Sequence, residues 1–253
     1  MIITSINNEL VKETAKLQQK KYRDSENKFL LEGFKCIEEA ISSDINIETI
    51  FLNQKKEAWA NNLKSDLKEK IILTNEPVLK KISSTDSAPE IVAVAVKKIY
   101  SLKDFESAKK LVLLENIKDL GNLGTILRTC CAFNSDGIIL FGKECADIYS
   151  PKCVRSSVGN LWKIPFVYID DIEILKTHFV DFEKTATLPK AKTYLKDYKT
   201  DKPMLVMFGS EADGLSEELI HLSDSQIKIE MSDNVESLNL SVSCAVVLYE
   251  LFL

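Results

Sequence analysis

Histidine is nearly missing from this chain: His178 and His221 are the only two in 253 residues. Neither stands near a second plausible ligand, which argues against a zinc centre, and no metal is expected. The six cysteines form no Cys-x-x-Cys pair, and Cys130 and Cys131 are adjacent. That usage fits buried thiols in a reducing compartment rather than a disulfide framework. No apolar run approaches the roughly 20 residues of a membrane span. Met1-Ile2-Ile3-Thr4 also lacks the charged start and long apolar core of a signal peptide, so a cytoplasmic protein without membrane contact is expected. Nor is there an excess of basic charge. The net charge is −5, so any nucleic-acid binding has to come from local basic patches. What remains, 45% hydrophobic and 28% charged residues, suits a globular protein with ample core and room for one large or two medium domains.

In the first hundred residues, Asn8 to Lys21 reads as a helix with Leu10, Val11, Thr14 and Leu17 inward. Lys12, Lys16, Lys20 and Lys21, followed by Arg23 and Lys28, give it a basic face, although a solvated surface explains such a face equally well. Strands are expected at Phe29–Gly33, Ile47–Leu52, Ile71–Leu73 and Ile91–Val96. Helices are expected at Phe34–Ser42, Ala58–Lys68 and Glu76–Ile82. This alternation implies a small α/β sandwich over residues 1–100. It holds no catalytic constellation and reads as a recognition module. A charged stretch without clear period, 101–109, is the linker. Over 110–253 the alternation resumes: strands at Leu111–Glu115, Gly137–Phe141, Ile164–Ile169 and Pro203–Phe208, and a helix at Leu123–Phe133. The architecture is again α/β with a largely parallel sheet, whose ligands bind outside the carboxyl ends of the strands.

Polar clusters lie at those ends. The first runs from Glu115 to Thr129, with Gly121 and Gly124 expected in a tight turn that presents Asn116 and Arg128. It has neither a P-loop Lys-Ser/Thr nor a full GxGxxG. The second, Gly209-Ser210-Glu211-Ala212-Asp213-Gly214-Leu215-Ser216, follows a strongly apolar strand. Gly209 allows a ligand close to the backbone, and Ser216 with Glu217 and Glu218 starts a helix. The third begins with a strand through Ile227 and Ile229, continues through a loop from Met231 to Glu236, and enters a helix capped by Ser237. Val242, Ala245, Val246 and Tyr249 share one face of that helix. Small polar side chains at its start, Ser237, Asn239 and Ser241, leave N–H donors beside a cleft.

Asn116…Gly121-Asn122-x-Gly124…Arg128, Gly209-Ser210-Glu211-x-x-Gly214-Leu215-Ser216 and Glu236-Ser237-Leu238-Asn239-Leu240-Ser241 resemble, in order and spacing, the three motifs of the SpoU/TrmH family of RNA 2′-O-ribose methyltransferases, in the SPOUT superfamily. The segment after Lys28, opening with Phe29-Leu30-Leu31-Glu32-Gly33, is similar to the family's ribosomal-protein-like substrate-binding domain. The resemblance implies a C-terminal methyltransferase domain with a deep trefoil knot, and a homodimer packed partly through the C-terminal helix. It implies S-adenosylmethionine as cofactor, held at Gly209, Ile229, Met231, Ser237 and Leu238. Ala212 and Leu120 stand where the family often has Gly and Pro. Asp147 to Pro165 also resembles a family segment, and brings Lys152 and Arg155 to join Lys20, Lys21 and Arg23 as candidate RNA contacts.

The implied reaction is attack of a ribose 2′-hydroxyl on an activated methyl group, for which positioning dominates. No motif histidine offers a base. A guanidinium stays protonated in proteins, so Arg128 is expected to stabilise charge. Asn116, Asn239, Glu211 and Ser237 complete the expected catalytic set. Ribosomal RNA is the expected substrate because an N-terminal domain is present. The alternatives are tRNA, or an RNA-binding protein that kept the fold without catalysis.

Overall fold

The computed structural model describes residues 1–232 and 234–253. Two compact units emerge by contact, Met1–Lys98 with Asp147–Trp162, and Ile99–Ala146 with Lys163–Leu253.

The first unit is a five-stranded sheet. Its strands are β1 (Ile2–Ile3), β2 (Lys28–Glu32), β3 (Ile47–Asn53), β4 (Ile71–Thr74) and β5 (Ile91–Val96), in the order β1-β4-β3-β5-β2. Strand β5 runs antiparallel to β2 and β3, while β1, β3 and β4 are parallel. The apolar run Ile91–Ala95 is buried on both faces, as its central place requires. Helices Phe34–Ser42 and Glu76–Ile82 form as their spacing implies, the latter with Pro77 in its first turn and the Asn75 side chain as cap.

The expected helix over Asn8–Lys21 is two helices, Glu9–Lys16 and Lys20–Glu26. The break is held from outside the segment. Arg23, 3% exposed, donates through Nη1 to the carbonyls of Leu17 (2.9 Å) and Gln18 (2.8 Å). Its Nε and Nη2 donate to Asp147 Oδ2 at 2.9 and 2.6 Å. A single guanidinium thus satisfies carbonyls released where the first helix ends and pairs with a carboxylate far along the chain. The helix expected over Ala58–Lys68 is likewise replaced by 3-10 turns at Gln54–Asn62 and a short helix, Ser65–Glu69, because Leu63 and Lys64 are extended.

The second unit is a seven-stranded sheet. Its strands are β6 (Lys110–Glu115), β7 (Gly137–Phe141), β8 (Phe166–Ile169), β9 (Glu183–Thr187), β10 (Thr193–Tyr194), β11 (Met204–Phe208) and β12 (Ser225–Lys228), in the order β10-β12-β9-β11-β6-β7-β8. Every pairing is parallel. Strands β7 and β11 are buried at every residue and β6 at all but its first. Each fully buried Leu or Ile contributes about 1.5–3 kcal/mol, and these strands form the unit's core. Helix Leu120–Ala132 starts earlier than the sequence implies, capped by Asp119, so Gly121 and Gly124 lie inside it rather than in a turn. The turn is made instead by Asn116 at φ 46°.

Helix Leu240–Phe252 is capped by Asn239, whose Oδ1 accepts from the nitrogens of Ser241 (2.9 Å) and Val242 (3.4 Å), and not by Ser237. Of the loop expected over Met231–Glu236, Asp233 lies outside the described residues. Among the described residues no helix is long and apolar enough to cross a membrane.

Candidate active site

Because β6, β11 and β12 are parallel, their carboxyl ends share one edge of the sheet. Register pairs Phe208 with Leu114, Met207 with Ala186, and Ala186 with Gln226. The three polar segments singled out in the sequence therefore leave the sheet at one edge, those after β6 and β11 from neighbouring strands and that after β12 with β9 between.

The turn after β6 is fixed by Asn116. Its backbone nitrogen donates to Phe141 O at 2.9 Å, and its Oδ1 accepts from Glu144 N at 3.2 Å. A side chain on Gly142 would collide with this amide, and at φ +97° Gly142 already occupies backbone space that suits glycine. Asn116 thus holds the 142–144 loop. The buried Glu115 accepts from Ser216 N at 2.7 Å, which ties the turn after β6 to the helix that follows β11.

The turn after β11 closes on itself. Ser210 N donates to Gly214 O and Gly214 N to Ser210 O, both at 3.1 Å. A methyl group on Gly209 would overlap the backbone of Gly214 and Leu215, so the tight turn requires glycine there. Glu211, Ala212 and Asp213 are exposed at its tip.

The three segments meet at Asn122, in the first turn of helix Leu120–Ala132. Its Nδ2 donates to Glu211 Oε1 at 2.6 Å, and its Oδ1 accepts from Asn239 Nδ2 at 3.2 Å. Asn239 in turn caps the C-terminal helix, and its Oδ1 also accepts from Ser241 Oγ at 2.7 Å. Carboxylate, amide and amide are joined in sequence, each donor facing an acceptor, a network that fixes its members mutually. Asn122 was not among the candidates drawn from the sequence. The signal was present, since Asn122 sits between Gly121 and Gly124 in the first motif.

Arg128 lies on the same helix, exposed, with no hydrogen bond or ion pair among the described residues. Glu211 and Asn239 bond Asn122, Asn116 bonds the 142–144 loop, and none of the three bonds Arg128. Ile229, Met231 and Leu238 are half-buried and Ser237 is exposed. A thiolate is not on offer at neutral pH: burial raises the Cys145 thiol beside this turn and pushes Cys131 up to about 11. Among the described residues no group of three or more His, Cys, Asp or Glu is placed to hold a metal ion.

The expected RNA contacts lie in the first unit and differ in availability. Lys20, Lys21 and Lys152 are exposed. Lys20 pairs with Asp24 at 2.5 Å. Arg23 is committed to Asp147 and the helix break. Arg155, 31% exposed at its side chain, donates to Glu32 Oε2 at 2.5 Å and Ser84 Oγ at 2.6 Å. Both arginines thereby serve the packing of the Asp147–Trp162 segment on the N-terminal sheet.

Residues 109–249 match the model of the SpoU rRNA methylase family, and residues 8–93 that of the MRM3-like substrate-binding domain. An uncharacterized tRNA/rRNA methyltransferase from Synechocystis is 34% identical, covering 98% of this chain and 92% of that one. The Bacillus subtilis 23S rRNA (guanosine(2553)-2′-O)-methyltransferase RlmP is 30% identical, covering 98% of each. An rRNA methyltransferase from Sinorhizobium meliloti, solved with AdoMet bound, superimposes with a TM-score of 0.86 at 27% identity, covering 99% of this chain and 96% of that one.

Proposed function

The chain belongs to the SpoU rRNA methylase family, and we propose that it transfers the methyl group of S-adenosylmethionine to a ribose 2′-hydroxyl of ribosomal RNA. The observation that carries this reading is the junction Glu211–Asn122–Asn239, which fastens the three motif segments together beside the helix bearing Arg128.

The residues present fit the cofactor. Gly209 keeps the turn after β11 free of side chain at its base, and the half-buried Ile229, Met231 and Leu238 offer apolar surface for an adenosine. Ser237 lies near the last of these in the chain. The cofactor supplies a methyl group already activated on a sulfonium, so no metal is required for the transfer. Arg128 holds the phosphate next to the target ribose and stabilises the alkoxide as it develops. Asn122, Glu211 and Asn239 keep the helix of Arg128, the cofactor turn and the C-terminal helix in fixed relation. Asn116 acts further back, by holding the 142–144 loop.

The N-terminal domain, residues 1–100, recognises the RNA together with the 147–162 segment, through the exposed Lys20, Lys21 and Lys152; Arg23 and Arg155 support it structurally. The 110–253 domain carries the knot implied by its motifs, and two copies pair through the C-terminal helix. Supporting the pairing, Val242, Val246 and Tyr249 are 48%, 39% and 62% exposed on that helix, an apolar stripe suited to a second copy.

The test is a map of 2′-O-methylation in ribosomal RNA and tRNA from cells with and without the gene. Loss of a single ribosomal methyl group is expected, restored by the wild-type gene and not by an Arg128→Ala copy. Loss confined to tRNA would move the substrate there, and an unchanged map would remove the catalytic reading.

A further inference from the structure

A chain with a net charge of −5 needs concentrated cations to hold RNA. In the N-terminal helices the lysines are largely neutralised by their own neighbours: Lys12 with Glu9, Lys16 with Glu13 and Lys20 with Asp24. The sheet edge of the second unit differs. Between 189 and 200 the chain has four lysines and one acid, Asp197. Ala191 and Leu195, 3% and 6% exposed, anchor this stretch, while Lys190, Lys192 and Lys196 are exposed. Strand β10 is the outermost of its sheet, paired only with β12, and Tyr194 stands in register with Lys228.

The Tyr194 ring organises the charge. Lys228 Nζ lies 4.5 Å and Lys196 Nζ 5.4 Å from its centroid, within the range at which an aromatic face attracts an ammonium. Lys196 also pairs with Glu230. Lys190, Lys192 and Lys228 carry no ion pair among the described residues. Cations held before the ligand arrives lose less freedom on binding it.

We propose that this Tyr194-centred lysine cluster binds the phosphate backbone of single-stranded RNA flanking the target nucleotide. The inference rests on the RNA methyltransferase reading and extends it to a surface outside the three motifs. Lys228 is followed directly by Ile229 and then Met231, so a phosphate held there lies beside the loop assigned to the cofactor. An ordinary lysine-guarded edge strand, whose cations only deter sheet-to-sheet pairing, is the competing account. It calls for aggregation, not loss of RNA affinity, when the charges are removed.

The experiment uses the full chain as wild type, Lys192→Gln/Lys228→Gln, Tyr194→Ala and Lys192→Arg/Lys228→Arg. The probes are a fluorescent oligouridylate and in vitro transcribed 23S rRNA, titrated across salt, with S-adenosylmethionine affinity measured alongside by calorimetry. The Gln pair should bind both RNAs about tenfold more weakly. Its slope of log affinity against log salt should be shallower by about 1.4, since each single-strand phosphate contact contributes about 0.7. Tyr194→Ala should weaken binding several-fold, the Arg pair should bind as wild type, and cofactor affinity should not change. This pattern supports the cluster even if the wild type methylates no ribosomal RNA, in which case only the catalytic reading fails. RNA affinity and salt slope equal to wild type in both the Gln pair and Tyr194→Ala overturn the proposal while leaving methylation intact, and so does a wild type that binds neither RNA.

Discussion

Asn239 Nδ2 donates to Asn122 Oδ1 across 117 residues of chain, at 3.2 Å. The donor caps the C-terminal helix and the acceptor sits in the first turn of helix Leu120–Ala132, so one amide pair sets how the two helix starts face each other. Glu211 bonds the other end of the same Asn122 side chain.

Asn122→Ala should therefore unfasten all three loops at once. Two lost exposed hydrogen bonds cost about 1 kcal/mol each in stability, but misplacement of a reacting group by an ångström costs on the order of a hundredfold in rate. Single-turnover methylation should fall on that scale while the melting temperature drops by no more than about 4–8 °C. Asn122→Asp should be at least as slow, because it sets a carboxylate against Glu211. A rate within threefold of wild type in the Ala variant would falsify the fastening role.

Arg23→Ala tests the buried ion pair in the N-terminal unit. The change leaves Asp147 Oδ2 and the Leu17 and Gln18 carbonyls without their donor. Removing one partner of a buried pair costs about 3–5 kcal/mol, so urea unfolding should shift to markedly lower midpoint. Arg23→Lys should recover only part of this, since an ammonium lacks the fork that reaches both carbonyls and the carboxylate. A surface role in RNA binding alone would instead leave the midpoint unchanged.

The exposed stripe on the C-terminal helix gives a third expectation. If the proposed pairing holds, Val246→Glu with Tyr249→Glu should turn a dimeric wild type into monomers by light scattering, with little loss of monomer stability because both positions face outward. A wild type that scatters as a monomer at micromolar concentration removes the dimer proposal.

Much of this fold is legible in sequence because its strands are extreme in composition. The runs at Leu111–Leu114, Met204–Phe208 and Ile91–Val96 are apolar throughout, and burial on both faces is what such runs require. Helix ends were less legible for a physical reason. Leu17-Gln18-Gln19-Lys20 contains good helix formers, and tertiary bonds hold the break there, those of Arg23 with Asp147, 124 residues away, foremost. Ser237 and Asn239 are both sound caps, and the tertiary bond to Asn122 favours Asn239. The C-terminal helix is apolar on two faces. Period alone could not say that Cys244, Val247, Leu248 and Phe252 turn inward while Val242, Val246 and Tyr249 turn out. The three motifs are legible in the sequence, but not the residue, Asn122, at which the structure joins their segments.

The remaining expectation concerns Arg128, exposed and without a hydrogen bond or ion pair among the described residues. If it stabilises charge, Arg128→Lys should retain part of the activity, because a cation stays near the phosphate, though without the bidentate fork. Arg128→Ala should lose about a hundredfold or more in the chemical step, the scale for removing one preorganised donor. Cofactor affinity should hold in both variants, since the assigned cofactor residues belong to the other loops and Arg128 makes no bond to them. A role requiring Arg128 to give up a proton predicts the opposite ordering: a wild-type rate that climbs steeply with pH, and a Lys variant that matches or exceeds it. Single-turnover rates of the three proteins across pH separate these outcomes. A Lys variant as slow as Ala would point instead to the planar geometry of the guanidinium, two parallel donors on one phosphate, as what the reaction requires of this position.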